Sequence, residues 1–331
     1  MAERIEDLHL AIIGGTGLEA RLTDAGLLSD VEVVTPATPF GPPSAPIRVG
    51  VAKSGDRDGA GSVREAAGGG DGERVGDGGR PVKVALLARH GEAHRIPPSK
   101  VPYRANIFAL KALGVTHVIA SGATGSLRES IAPGELVVPD QLIDRTEGRA
   151  RSFFERAAVH VEFAEPFCPV TRKWLLAAAR DAGVTAHDGG CYVCMEGPSF
   201  STKAESHLHR AWGGDLIGMT ALPEARLARE AELAYALLAL PTDYDCWRPP
   251  PPGAAADRPA ASLIEEIIGN LERATDASMR VLERALSDCA ALRAEPSPAH
   301  EALKLAIWTP KDQIDPDEIS RLAPIWGRHF S

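Results

Sequence analysis

Long apolar runs are missing from this chain. No stretch approaches the roughly 20 consecutive apolar residues that a membrane-spanning helix needs, and Met1 to Asp7 carries no apolar signal region, so a cytoplasmic protein with no membrane partner is expected. Basic charge is also short: 36 Lys and Arg stand against 45 Asp and Glu, a formal net charge of -9. Neutralising a phosphate backbone needs a basic face, so this balance argues against a nucleic-acid partner, while a few local donors can still hold a small anion. Cysteine is sparse and odd in number. Cys168, Cys191, Cys194, Cys246 and Cys289 are scattered as in a reducing compartment, not arranged as a disulfide scaffold. Cys191 and Cys194 have C-x-x-C spacing, but no second ligand pair adjoins them and Cys191-Tyr192-Val193-Cys194 alternates like a strand. No metal site is expected.

What is present is a patterned chain of 331 residues, 44% hydrophobic, enough to fill a sizeable core. Short apolar runs at Leu8 to Ile13, Val82 to Ala88, Thr116 to Ala120, Glu135 to Val138, Cys191 to Met195 and Ala234 to Leu240 read as strands. Between several of them lie helical patterns, at Arg104 to Leu113, Thr171 to Ala182, Ser201 to Trp212 and Pro223 to Glu232, with another from Ser262 to Ala291. Strands alternating with helices predict an α/β fold, a single domain over 1-331 built on a mixed twisted β-sheet flanked by helices. One segment breaks the pattern: residues 54-80 are dominated by Gly, Asp, Arg and Ala and cannot bury enough to offset ordering entropy. A disordered Gly-rich insertion is expected there, between strands at Ile47 to Val51 and Val82 to Leu86 that flank it like hairpin arms. Pro249 to Gly253 reads as a surface loop. The stretch 292-331 reads as a helical extension whose Trp308, Trp326 and Phe330 are expected to dock on a subunit.

Several short segments carry groups suited to a nucleoside and an anion. Met195-Glu196-Gly197-Pro198-Ser199-Phe200 sets a carboxylate beside a turn and an aromatic ring; Glu196 can accept from sugar hydroxyls and Phe200 can lie against a planar base. Ile217-Gly218-Met219-Thr220 and Thr242-Asp243-Tyr244-Asp245 follow, the latter with carboxylates that can hold polar atoms of a base. Upstream, Gly14-Gly15-Thr16-Gly17 offers backbone N–H groups and a hydroxyl, Arg89-His90 a forked cation and a second donor, and Ser121-Gly122-Ala123 a further turn. Each alone has an ordinary reading: a tight turn, a surface charge, a structural carboxylate, a solvated or calcium-binding loop.

Their order resembles the trimeric purine nucleoside phosphorylase family, most closely its 5'-methylthioadenosine phosphorylase branch, over roughly residues 8 to 290 without the insertion. The resemblance implies a homotrimer that uses inorganic phosphate as co-substrate and no metal or organic cofactor. It implies phosphorolysis of methylthioadenosine to adenine and 5-methylthioribose 1-phosphate. Phosphate would meet Thr16, Arg89, His90, Gly122, Ala123 and Thr220. The branch commonly has a hydroxyl residue where Gly122 stands, and either Ser121 or Thr124 could supply it. The nucleoside would meet Ala123, Glu196, Phe200, Ile217, Gly218, Met219, Asp243 and Asp245, with Ile264, Ile267 and Ile268 as an apolar 5' wall. Asp243 would protonate N7 of the leaving purine, assisted by His90 on the phosphate side. A carboxylate accepts from the exocyclic amine of adenine, whereas a 6-oxopurine calls for a donor such as Asn. Gly218 departs from the branch and suits the 6-oxopurine phosphorylases, which keeps these and 5'-methylthioinosine as the alternative substrates. A nucleotide-dependent oxidoreductase is disfavoured because the Gly14 loop lacks G-x-G-x-x-G spacing. A non-catalytic nucleoside-binding protein is the remaining reading.

Overall fold

The computed structural model describes residues 3-15, 18-52, 82-249 and 260-330. The insertion expected at 54-80, Thr16 and Gly17 of the first loop, and most of the loop expected after Pro249 lie outside the described residues.

Eleven described strands form one mixed sheet: β1 (Leu8–Gly14), β2 (Leu28–Val34), β3 (Ile47–Ala52), β4 (Lys83–Ala88), β5 (His117–Ser126), β6 (Leu136–Val138), β7 (Gln141–Arg145), β8 (Ala186–Asp188), β9 (Cys191–Met195), β10 (Leu216–Gly218) and β11 (Ala234–Asp243). Their order is β2-β3-β4-β1-β5-β10-β9-β7, and the sheet branches at β5, where β11 joins and leads on to β6 and β8. Strands β4, β1, β5 and β11 are mutually parallel, while β3 and β4 pair antiparallel as the two flanking arms predict.

Strand β1 is apolar almost throughout because both of its faces are covered. Ala11 and Ile13 point to one side, under α2 (Tyr103–Leu113) and α5 (Ala221–Glu230). Leu10 and Ile12 point to the other, under α1 (Leu18–Asp24), α3 (Pro169–Asp181) and α6 (Ala260–Leu286). Each fully buried Leu or Ile contributes about 1.5–3 kcal/mol, so the two apolar layers hold the sheet from both sides. Local signals set the helix limits. Helix α2 ends at Gly114, whose φ of 108° closes the last turn, and α4 (Lys203–Ala211) starts from a capping box of Thr202 and Glu205.

The differences from expectation have local causes. Strands β5 and β11 run to Ser126 and Asp243, past the expected ends at Ala120 and Leu240, because nine registered pairs between them override the weak strand propensity of Gly122, Gly125 and Pro241. The helical pattern from Ser262 to Ala291 breaks at Ser287 and Asp288 into α6 and α7 (Cys289–Ala294). Strands β8 and β10 are three residues each, too short for periodicity to show. In the C-terminal stretch, α8 (Pro316–Arg321) and α9 (Ala323–Trp326) seat Trp326 in this chain's own core against Phe154 and Phe330. Trp308 is 69% exposed on this chain, its ring edge-on to His160.

Candidate active site

The C-terminal ends of the central strands converge, the place where open α/β sheets hold ligands. Gly14 at the end of β1 lies beside Ala88 at the end of β4, and the Arg89 N–H donates to the Gly14 carbonyl at 3.0 Å. Pairing of β5 with β11 sets Ala123 beside Leu240 and Gly125 beside Asp243. Around these ends lies a cavity of about 310 Å³. Of the residues proposed from sequence, Arg89, His90, Gly122, Ala123, Phe200, Ile217, Gly218, Met219, Thr220, Asp243, Asp245 and Ile267 all line it. Segments more than a hundred residues apart are thus brought to one wall.

One end carries a buried cation. Arg89 is 1% exposed, and its Nε and Nη2 donate to the two oxygens of Glu224 at 2.7 and 2.9 Å, while Nη1 donates to the Ser121 carbonyl at 2.9 Å. Tyr235 donates to Glu224 at 2.9 Å. Burial works against the Arg89 charge, but the Glu224 carboxylate more than reverses it and leaves the guanidinium firmly charged. With three of its five N–H groups engaged, Arg89 retains donors for a ligand. A Cβ at Gly122 would lie 3.5 Å from Thr220 Oγ1 and 3.9 Å from Arg89 Nη1, so the bare glycine leaves open the space between hydroxyl and cation. Ser121 and Thr124 both border the cavity, and buried Thr124 Oγ1 has no protein partner.

His90 differs from its expected role as a second donor. Its Nδ1 donates to the Ile96 carbonyl at 2.8 Å, which leaves Nε2 as the free nitrogen. Burial, with the Arg89 and His94 charges, pushes its pKa down to about 4. Near neutrality His90 therefore offers an acceptor, suited to a sugar hydroxyl or a protonated phosphate oxygen. His94, not singled out from sequence, also lines the cavity, its ring 4.2 Å from that of His90.

The other end presents a carboxyl. Asp243 Oδ1 accepts from the Asp245 N–H at 2.7 Å and Oδ2 from Thr242 Oγ1 at 2.7 Å. Burial raises its pKa, the two hydrogen bonds lower it and the Asp245 charge raises it again; the net shift is upward, which keeps a proton available closer to neutrality. Asp245 is itself engaged, accepting from Ser206. Asn270 of α6 donates to the Thr242 carbonyl at 2.7 Å and ties the helix to this strand end.

Three expected contacts change. Glu196 is not on the cavity wall: its Oε2 takes both the Arg149 Nε and the Glu147 N–H, each at 2.8 Å, so an ion pair holds that one oxygen. Ile264 and Ile268 are 55% and 49% exposed and do not line the cavity. The face of α6 that does is Ile267, Leu271 and Thr275, at i, i+4 and i+8, one step round from the stripe expected. Phe200 borders the cavity at its mouth, 83% exposed. Arg149, also missed from sequence, donates to the carbonyls of Met219, Leu222 and Glu196 at 2.7–2.8 Å and so fastens the Met219 segment.

Comparison with known proteins shows the family. Residues 78–287 match the family model described as the Phosphorylase superfamily. The chain is 45% identical to an S-methyl-5'-thioadenosine phosphorylase of Chloroflexus aurantiacus, over 97% of this chain and 98% of that protein. It is 43% identical to one of Synechocystis, over 97% and 87%. A crystal structure of a methylthioadenosine phosphorylase from an antarctic soil metagenomic library superposes with a TM-score of 0.79 at 39% identity, covering 96% of this chain and 98% of that one. The Schistosoma mansoni methylthioadenosine phosphorylase in complex with adenine gives 0.72 at 32% identity, over 91% and 99%.

Proposed function

This chain belongs to the phosphorylase superfamily, among its S-methyl-5'-thioadenosine phosphorylases, and from that premise we propose that it splits S-methyl-5'-thioadenosine with phosphate into adenine and 5-methylthioribose 1-phosphate. One observation carries the reading: a single cavity holds a buried, firmly charged guanidinium at one end and a carboxyl with a raised pKa at the other. Phosphate held by Arg89, the Thr220 hydroxyl and the Ala123 backbone attacks the anomeric carbon. The C–O bond forms as the bond to N9 breaks, and Asp243 gives its proton to N7, so that adenine departs neutral. Catalysis is then positional and electrostatic, and it needs no metal or organic cofactor. Ile267 with Leu271 supplies an apolar wall suited to a methylthio group.

The finer expectations belong to the same proposal. A homotrimer accounts for apolar Phe200, Ile264 and Ile268 left exposed near the cavity mouth. Five free thiols suit a cytoplasmic enzyme of purine and methionine salvage. Gly218 favours a second substrate reading, 6-oxopurine nucleosides or 5'-methylthioinosine. Incubation with methylthioadenosine, with and without phosphate, decides: phosphate-dependent release of adenine supports the proposal, and release of hypoxanthine from methylthioinosine alone would replace it with the second reading.

A further inference from the structure

A second cavity, of about 420 Å³, lies at the opposite end of the sheet from the active site, beside the residues that lead into β5. Its wall comes from three parts of the chain: Arg4 of the N-terminal segment, the end of α2 with the turn that follows, and the C-terminal stretch around α9. Val115, Pro324 and Ile325 make part of that wall apolar, Lys111, Arg4 and Arg328 supply charge, and none of the described residues that line it is acidic. Lys111 is half-buried, and its Nζ makes no hydrogen bond or ion pair among the described residues. Burial works against its charge, the Glu232 carboxylate favours it and the Arg328 and Arg4 charges oppose it, so its pKa falls to about 8. Arg4 lies along Gly114, where a Cβ would be 3.1 Å from its Cγ and 3.2 Å from its Nε, and it too has no ion-pair partner among the described residues. Arg328 is different. Its Nε and Nη2 donate to the two oxygens of Glu232, each at 2.9 Å, which fixes the guanidinium and matches the charge of Glu232. The carbonyls that close α2 are occupied as well: Leu110 and Lys111 accept from the Val115 and Gly114 N–H at 3.1 Å, and Leu113 from the Ile5 N–H at 2.9 Å.

We propose that this cavity binds an organic phosphate monoester, the dianion between Lys111 and Arg4 beside the fixed Arg328, and the organic stem against Val115, Pro324 and Ile325. Two features select that class. Two cations without a matching acid suit a phosphate monoester, which carries between one and two negative charges near neutrality. The apolar part of the wall and a volume in the range of small-molecule pockets leave room for more than a bare ion. Once bound, the ligand bridges the N-terminal segment, α2 and the C-terminal stretch. The site does not depend on the phosphorolysis reading.

Acetylation of the wild-type protein by acetic anhydride near neutral pH, followed lysine by lysine by mass spectrometry, tests it with phenyl phosphate as the probe. Only the neutral amine reacts. An opposite charge in contact raises an amine's pKa by about one unit or more, so phenyl phosphate should slow Lys111 about tenfold and leave exposed Lys203 and Lys304 unchanged. Benzyl alcohol, a stem without the charge, should protect nothing, and inorganic phosphate or benzoate should protect less at the same concentration. Arg4→Ala, a change at an exposed side chain, should cut the protection severalfold with Tm unchanged. Absence of protection at Lys111, equal slowing of all three lysines, equal protection by inorganic phosphate or benzoate, or protection unmoved by Arg4→Ala overturns the assignment.

Discussion

Replacing Asp243 by Asn tests the base-reading end of the cavity, and the structure says which way the amide should turn. Oδ1 faces the Asp245 N–H at 2.7 Å, a donor fixed in the backbone, so the amide oxygen must take that side. The amide nitrogen then faces Thr242 Oγ1, whose hydrogen can swing to the Thr124 carbonyl at 3.3 Å while its oxygen accepts. At most one hydrogen bond weakens, a cost of about 1 kcal/mol, and the fold should survive. Chemistry should not. An amide cannot protonate N7, and positioned general acids contribute roughly 10²–10⁴-fold, so kcat/KM on methylthioadenosine should drop by about that factor. Methylthioinosine should lose much less, because a donor now faces its 6-oxygen, and the ratio of the two efficiencies should move toward the oxo compound. The assay is kcat/KM on both nucleosides at saturating phosphate for both proteins. A wild type that prefers methylthioinosine, or a ratio unmoved by the substitution, refutes the idea that Asp243 reads the base.

Further outcomes follow from the same contacts. Arg89→Ala should raise the phosphate KM, each lost charge-assisted contact being worth about 1.5–3 kcal/mol, and should also destabilise by about 3–5 kcal/mol because buried Glu224 loses its partner; Arg89→Ala with Glu224→Gln should regain Tm but not phosphate affinity. Gly197→Ala places a methyl 2.4 Å from Met219 Sδ at a φ of 68°, so the nucleoside KM should rise with little change for phosphate; equal changes would detach Met219 from the nucleoside. Burial lifts the pKa of Glu230 to about 7, above its unfolded 4.5, so this group contributes stability that is complete below about pH 4.5 and fades as pH rises through 7. Glu230→Gln keeps the acceptor for the Phe153 N–H, at 2.8 Å in the wild type, and removes the titration, so between pH 5 and 8 the variant should gain on wild type by on the order of 3 kcal/mol in denaturant melts; parallel profiles would contradict it.

The parts legible in sequence are those governed by local periodicity and by contiguous motifs. Leu8 to Ile13 could be read as a strand because both sheet faces demand apolar side chains, and Arg89-His90 stood out as a cation at the end of an apolar run. Strand ends were misjudged where pairing overrides propensity. Gly122, Gly125 and Pro241 look like loop residues, yet the β5–β11 ladder carries them on as strand and thereby places Asp243 beside Gly125. The α6 stripe was misplaced by one step because Ile264, Ile267 and Ile268 share an apolar face by spacing, while the cavity lies over the flank that continues through Leu271 and Thr275. The family resemblance pointed to Glu196 as a sugar ligand; what it did not disclose was that Arg149, 47 residues away, would take the carboxylate.

Glu224 shows the limit most clearly. In sequence it is an acidic residue just after Pro223, an ordinary occupant of a helix's first turn, where it suits the helix dipole. In the fold it is fully buried and grips a guanidinium 135 residues away. A buried ion pair adds little to stability over well-packed apolar residues of the same volume, so stability does not account for its presence. It does fix the fork of Arg89. With Nε and Nη2 engaged on one edge and Nη1 on the Ser121 carbonyl, the guanidinium has one orientation, and its remaining donors are set before the anion arrives. Holding charge and geometry in advance is what electrostatic catalysis requires, because nothing then has to reorganise as the transition state forms. Glu224→Asp keeps the charge but shortens the reach, so it should lower kcat more than it raises the phosphate KM. Loss of phosphate affinity with kcat unchanged would mean that Glu224 only balances charge.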